Sequence, residues 1–127
     1  MKQQTLLGLI CLSGFVAVAI GAFAAHGLST VQAKAWVVTG SSQHMAHTFA
    51  LLACVWLQAQ GYHRARLAVP LFSLGILLFA GSLYALALGA PRGVAMAAPV
   101  GGLSLLCGWL WLAWACFSRK DHVHAPN

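Results

Sequence analysis

The sequence predicts an all-α integral membrane protein: a four-helix bundle with a short interfacial helix between the first two spans. Composition is the first reason, because 61% of the 127 residues are hydrophobic and only 6% are charged, against about 45–50% and about 25% in soluble domains. The second reason is that four uncharged apolar stretches approach the roughly 20 residues that a helix needs to cross the hydrocarbon core. The predicted spans cover residues 5–25, 44–60, 67–88 and 98–117.

The charge pattern supports this class. Seven basic residues stand against a single acid, Asp121. The basic residues occur in ones and twos between long uncharged stretches, which is typical of membrane-protein loops and not of the clustered basic face of a nucleic-acid-binding protein. We therefore predict one membrane domain over residues 1–127, with the lipid bilayer as its surroundings and no nucleic acid as a partner.

The first apolar stretch, residues 5–25, allows two interpretations. Lys2, the apolar run and Ala22-Phe23-Ala24 resemble a signal peptide with its cleavage site. The run is longer, however, than the usual apolar part of a signal peptide, which has about 7–15 residues. Its glycines, at near-heptad spacing, suit close helix contact in a membrane, so a retained first span is favoured. These glycines are Gly8, Gly14 and Gly21.

The connection after the first span, residues 26–43, predicts a short helix lying in the membrane interface. Val31, Ala35 and Val38 recur at helical spacing with polar residues between them, as in amphipathic helices that lie on a membrane. Residues 40–42, a Gly-Ser-Ser run, then interrupt the pattern. The second span is expected to begin only near residue 44.

The third and fourth spans each have a proline at or near their start. Pro70 lies in the first turn of the third span and Pro99 at the start of the fourth, where a missing N–H costs little. Small residues are predicted to face other helices and not lipid; these are Gly14, Gly21, Gly81 and Gly102. Three tryptophans in the second half of the fourth span are expected at the headgroup level; they are Trp109, Trp111 and Trp114.

The basic residues also predict that both termini are cytoplasmic. With four spans, the N-terminus, the middle loop and the C-terminus share one side, which holds five basic residues against two on the other. Loops rich in Lys and Arg stay in the cytoplasm. The five are Lys2, Arg64, Arg66, Arg119 and Lys120, and the two are Lys34 and Arg92.

With this topology, most polar side chains of the spans fall in the outer half of the bundle. Polar groups in hydrocarbon must find partners, so one interpretation is a cluster that locks the helices together, and the other is a binding site that opens outward. In both, we expect His47 to point into the bundle and contact another span, and His44 to lie closer to the water. The candidate residues are His26, Gln43, His44, His47, Ser82 and Tyr84.

No catalytic residue, metal site or cofactor is predicted. Histidines bind transition metals, but no acid lies in any span, and haem needs two facing axial ligands. Proton-coupled transport usually uses an intramembrane Asp or Glu. Cys54 and Cys107 have no histidine at their expected depth, and the four cysteines form no CxxC pair. We therefore expect the cysteines to be small apolar side chains packed between helices.

The chain resembles a known family in several runs, in order and over nearly its whole length. On these runs it is similar to the YgdD-like family of small bacterial inner-membrane proteins, known as domain of unknown function 423, with a eukaryotic relative called transmembrane protein 256. The resemblance implies a four-helix inner-membrane protein and supplies no activity, substrate or cofactor. The family tends to have an aromatic residue at Gln43 and a serine at Ala80. The runs are Gly21-Ala22-Phe23-Ala24-Ala25-His26, Trp36, Thr39-Gly40, His47-Thr48, Phe79-Ala80-Gly81-Ser82-Leu83-Tyr84, Pro99-Val100-Gly101-Gly102 and Gly108-Trp109.

We therefore predict a structural or interaction protein of the bacterial inner membrane, with no enzymatic function. Its Gly- and Ala-rich helix faces would bind a membrane protein or a second copy of the chain. The alternative is a small transporter or binding module that uses the outer His/Gln/Tyr cluster, and a metal- or haem-dependent redox protein is the third hypothesis. A fully paired polar cluster would favour the first hypothesis over the second.

Overall fold

A computed structural model of the protein describes residues 2–118, most of which lie in four long α-helices. Two 3₁₀ turns, His63–Leu67 and Arg92–Met96, lead into the third and fourth helices, and the described residues form no β-strand. The all-helical class predicted from the sequence is therefore confirmed. The helices are α1 Gln3–Gly27, α2 Val31–Ala59, α3 Ala68–Ala87 and α4 Ala97–Phe117.

The second helix begins directly after its N-cap, Thr30. The side-chain oxygen of Thr30 accepts a hydrogen bond from the Ala33 N–H at 3.1 Å, which satisfies one of the free donors of the first turn. The connection from α1 is thus only residues 28–30. The predicted interfacial helix between the first two spans is wrong, because its residues form the first part of α2.

The predicted break at the Gly-Ser-Ser run is also wrong, and local contacts explain why. The hydroxyls of Ser41 and Ser42 both donate to the carbonyl of Val38 in the same helix, so these serines bond within the helix without ending it. Gly40 is buried, and a Cβ there would lie 2.8 Å from Cε1 of Tyr84. This glycine therefore permits α3 to approach, a common use of glycine in membrane helices.

Helices that follow one another in the chain pack together, α1 on α2, α2 on α3 and α3 on α4. The buried residues of α1 are Ile10, Ala17 and Ala24, at intervals of seven, which is the spacing of a narrow contact seam. Phe72 of α3 and Cys54 of α2 are fully buried in the core. Six large apolar side chains of α1 lie on the outer surface of the bundle, namely Leu9, Leu12, Phe15, Val16, Val18 and Phe23.

The backbones of α3 and α4 approach closely at glycines. A Cβ on Gly101 would collide with the backbone nitrogen of Phe79 and would lie 2.9 Å from the carbonyl carbon of Leu78. A Cβ on Gly108 would lie 2.7 Å from Cε1 of Phe72. These positions exclude a larger residue because backbone or core atoms occupy the space that its side chain needs.

The other small residues divide between contact positions and the outer surface. Gly81 faces open space, with no atom within 4 Å of a Cβ built there, so the prediction that it faces another helix is wrong. The prediction is confirmed for Gly14 against Thr48, Gly21 against Ser41 and Gly102 against Phe79, at 3.5 to 3.8 Å. Cys54 is buried as expected, but Cys11, Cys107 and Cys116 are exposed, so the packing predicted for these three is wrong.

The turn between α2 and α3 is tied to the end of α4 through Arg64. The Trp111 indole N–H donates to the Arg64 carbonyl at 3.1 Å, and the Arg64 guanidinium donates to the Ser118 hydroxyl at 3.0 Å. The guanidinium carbon also lies 4.8 Å from the ring centroid of Trp114, a cation–π geometry. Trp111 and Trp114 thus lie level with a basic turn, and their location at the headgroup level stays a prediction.

Three helical segments of residues 2–118 are long and apolar enough to cross a membrane. They are Gln3–Gly27, His63–Ala87 and Arg92–Phe117. The fourth long helix, α2, carries more polar residues than the others, and several of them are buried against α1, α3 and α4. These polar residues of α2 form the candidate site.

Candidate functional site

Two histidines of α2 occupy the centre of the polar cluster. His44 and His47 are three residues apart, so they share a helix face, and that face is packed into the bundle. Each of the two residues is only 6% exposed. The expectation that His44 lies closer to the water is therefore wrong: because α2 begins at Val31 and not near residue 44, His44 lies close to the middle of the helix.

His44 joins three helices. Its Nε2 lies 2.9 Å from the Ser13 hydroxyl on α1, and its Nδ1 lies 3.2 Å from the Tyr84 hydroxyl on α3. Ser13 is also 3.2 Å from the Thr48 hydroxyl, which donates to the His44 carbonyl at 2.9 Å. The four side chains thus form one connected network across α1, α2 and α3.

Counting the polar hydrogens shows which group donates each hydrogen bond of this network. Thr48 has one hydroxyl hydrogen and donates it to the His44 carbonyl, so Ser13 must donate to Thr48. Ser13 then has no hydrogen left for His44, so His44 Nε2–H donates to Ser13. A neutral imidazole has one N–H, so Nδ1 accepts from the Tyr84 hydroxyl. Each hydroxyl and imidazole hydrogen of the four side chains is used once.

His47 makes a separate pair of hydrogen bonds. Its Nδ1 lies 2.7 Å from the Gln43 carbonyl, and its Nε2 accepts from the Trp109 indole N–H at 3.1 Å. A carbonyl can only accept and an indole N–H can only donate, so His47 is the Nδ1–H tautomer. Its ring also lies 5.7 Å from that of Phe72, centroid to centroid. The prediction that His47 points inward and contacts another span is confirmed.

Of the six predicted site residues, the structure brings His44 and Tyr84 together and places His47 one turn away. Ser82 is buried but donates to the Phe79 carbonyl of its own helix at 2.9 Å. His26 is exposed at the end of α1. The Gln43 side chain is exposed as well, and only its backbone carbonyl contacts His47.

Sequence reasoning missed three residues of the site, namely Ser13, Thr48 and Trp109. The late start predicted for α2 placed His44 near the membrane surface, about 20 Å from its true depth at 1.5 Å per residue. Ser13 therefore seemed to belong to the opposite half of the bundle. Trp109 was assigned to the headgroup level with its neighbours, whereas the N–H of its exposed indole donates to the buried His47. Counting turns from Thr30 as the N-cap would have found Ser13.

The buried polar groups are fully satisfied in the part of the chain that the structure covers. Within residues 2–118, every buried side-chain nitrogen or oxygen atom has a hydrogen-bond partner. No group of three or more His, Cys, Asp or Glu side chains in these residues is arranged to hold a metal ion. The chemistry that this arrangement supports is cohesion between helices, because the polar hydrogens of its side chains are already donated to acceptors within the protein.

A shallow groove lies beside His47 between α2 and α4. Its volume is about 400 Å³. The exposed Gln43 side chain stands at this groove, and the remainder of its lining is mainly apolar. The lining residues are Gln43, His47, Phe79, Gly102, Leu105, Leu106 and Trp109.

An all-helical bundle with large apolar side chains on its outer surface and paired polar groups inside is typical of integral membrane proteins. Comparison with known protein families identifies the family to which this chain belongs. Residues 20–102 match the family described as "Protein of unknown function (DUF423)", and the chain belongs to this family, as the sequence resemblance predicted.

Curated relatives agree with this family over most of the chain. A UPF0382 membrane protein of Haemophilus influenzae is 47% identical over 95% of this chain and 99% of its own length. The UPF0382 inner membrane protein YgdD of Escherichia coli K12 is 39% identical over 86% of both chains, and the UPF0382 membrane protein YwdK of Bacillus subtilis is 32% identical over 88% of this chain and 94% of its own. These names give a membrane location and no activity. No solved structure matches the fold.

Proposed function

We propose that this protein is a four-span structural or interaction protein of the bacterial inner membrane, without enzymatic activity. The observation that carries the proposal is the closed network around His44, in which each hydrogen of the four side chains is already donated to a protein acceptor. A site that donates to a polar solute or passes protons along needs a free hydrogen facing its path. A network whose polar hydrogens are all donated within the protein instead fixes the spacing of α1, α2 and α3.

Packing supports a fourth span at α2. The three-residue connection from α1 and the contacts with α1 and α3 make α2 run beside two helices that are apolar enough to cross a membrane. Its 29 residues correspond to about 43 Å, longer than the roughly 30 Å hydrocarbon core. The lower hydropathy of α2 is compatible with a span because His44, His47 and Thr48 are buried.

The proposed orientation has both termini in the cytoplasm. Among the described residues, Lys2, Arg64 and Arg66 lie at one end of the bundle and Lys34 and Arg92 at the other. Arg119 and Lys120, which complete the five-to-two count, lie outside the described residues. The end with more basic residues is proposed to be cytoplasmic.

Water access to Ser13 tests the structural role against the transporter alternative. In a variant with the three exposed cysteines changed to alanine, Ser13→Cys places a thiol inside the network at nearly the size of the serine. We expect a water-soluble maleimide to leave this thiol unlabelled in both intact spheroplasts and inverted vesicles, and to label it after denaturation.

The matched control is Gln60→Cys, an exposed position after the end of α2, which should be labelled from one side without denaturation. Labelling of Ser13→Cys in the folded protein, with an unchanged melting temperature, would show that water reaches the network. That result would overturn the structural proposal in favour of a solute pathway.

A further inference from the structure

We propose that the Gln43 face of α2 is the interface of a symmetric dimer of this chain, with the two Gln43 amides bonded to each other. The second copy is then a partner of the interaction protein proposed above, so the dimer rests on that proposed function. The Gln43 side chain is exposed and makes no hydrogen bond with any described residue, while its neighbours His44 and His47 are buried and paired.

Gln43 lies deep within the membrane-spanning part of the bundle. Its neighbour His44 bonds to Ser13, which lies about 15 Å from one end of α1 and about 21 Å from the other at 1.5 Å per residue. Gln43 is thus near the middle of a layer that is roughly 30 Å thick. A primary amide at this depth has no water to bond, and an unpaired polar group in hydrocarbon is costly.

The chemistry of the amide selects a second copy as the occupant. A glutamine side chain carries a donor and an acceptor on adjacent atoms, so two amides related by a two-fold axis satisfy each other through two reciprocal N–H···O=C bonds. A dimer interface of this symmetry presents the same patch on both subunits. Gln43 therefore supplies its own complement, without a different protein.

The surface around Gln43 allows such an approach. Thr39 and Ala46 lie four residues before and three residues after it, so they share its helix face, and both are exposed and small. The mainly apolar groove of about 400 Å³ lies beside the amide and would receive side chains of the second copy. No charged residue lies between Lys34 and Arg64, so the contact brings no like charges together.

Disulfide trapping at Ala46 tests the dimer and leaves Gln43 intact. With the three exposed cysteines changed to alanine, and buried Cys54 kept, Ala46→Cys should form a dimer in oxidised native membranes, because a disulfide requires Cα atoms about 4.4–6.8 Å apart. Adding Gln43→Leu should weaken dimerisation about tenfold, since two interhelical hydrogen bonds together correspond to roughly one tenfold step in the equilibrium constant. Gln43→Asn should retain it.

Leu12→Cys is the control for random collision. Leu12 is adjacent to Ser13, hence at the same depth, and is 60% exposed on α1. The dimer proposal is overturned if Ala46→Cys cross-links no more than Leu12→Cys, if Gln43→Leu leaves the cross-linked fraction unchanged, or if the trapped partner has the mass of another protein. An unlabelled Ser13→Cys together with any of these results would overturn the dimer alone and leave the structural role intact.

Discussion

Gly101 and Gly81 form a matched pair for measuring how tightly α3 and α4 are packed. Both are glycines inside helices, so changing either to alanine removes the same backbone flexibility, a gain of about 1 kcal/mol in a helix interior. Their surroundings differ. The Cβ of Gly101→Ala would meet backbone atoms of Phe79 and Leu78, whereas the Cβ of Gly81→Ala meets nothing within 4 Å.

The two substitutions are therefore expected to change the free energy of unfolding in opposite directions. Backbone atoms cannot rotate away from the new methyl group of Gly101→Ala, so α3 and α4 must separate, at a cost near the upper end of the usual overpacking range of about 1–3 kcal/mol. The greater helix propensity of alanine offsets about 1 kcal/mol of this cost, so Gly101→Ala should lower the free energy of unfolding by about 2 kcal/mol. Gly81→Ala should raise the free energy of unfolding by up to about 1 kcal/mol.

The assay is unfolding in mixed micelles with increasing sodium dodecyl sulfate, followed by tryptophan fluorescence and by circular dichroism. Trp109 reports on the contact between α4 and α2 through its bond to His47. The prediction concerns the difference between the two variants, about 3 kcal/mol from the values above. If Gly101→Ala were as stable as Gly81→Ala, the close backbone approach of α3 and α4 would be refuted.

Two further predictions concern the polar core and the topology. His47→Gln should change the free energy of unfolding by less than about 1 kcal/mol, because an amide offers a donor and an acceptor to the same partners, whereas His47→Leu should cost about 1–3 kcal/mol by leaving the Trp109 N–H unpaired; equal losses in the same micelle titration would contradict this role. A green fluorescent protein fused to the C-terminus should fluoresce, and alkaline phosphatase fused there should be inactive. Two arginines added beside Lys34 should reduce that asymmetry, and an active phosphatase on the unmodified chain would reverse the proposed orientation.

Most of the fold was predictable because apolar length is a strong signal. The predicted spans 5–25, 67–88 and 98–117 agree with α1, α3 and α4 to within two residues at each end. The start of α2 was not predictable from the same signal. In a soluble protein, a Gly-Ser-Ser run is typical of a loop. Here its serines bond within the helix and Tyr84 packs against its glycine, and this packing is a tertiary contact that the local sequence does not show.

The site was predictable in its residue types and less so in its pairing. His44, His47 and Tyr84 stood out because polar side chains are rare in the spans. Their partners depend on the depth of each residue along its helix. Because the predicted start of α2 was wrong, His44 and Ser13 were assigned to different depths, and the hydrogen bond between them was not predicted. Trp109 differs from Trp111 and Trp114 in the partner it reaches, His47 of α2 and not the turn at Arg64, and that partner depends on how α4 packs in the bundle.

The seam of α1 has a consequence for assembly during synthesis. Its buried residues lie on one narrow stripe against α2, so α1 enters the bilayer before the helix that covers this stripe has been made. In the interval, the Ser13 hydroxyl has no Thr48 to donate to, and a carbonyl of its own helix is the available acceptor. Insertion of α2 then exchanges this local bond for the one that Ser13 donates to Thr48, and Ser13 accepts from His44. The third and fourth helices, α3 and α4, which contact each other at their glycines, follow in the chain. The packing of α1 therefore depends on α2 alone among the long helices, because α3 and α4 pack on α2 and on each other.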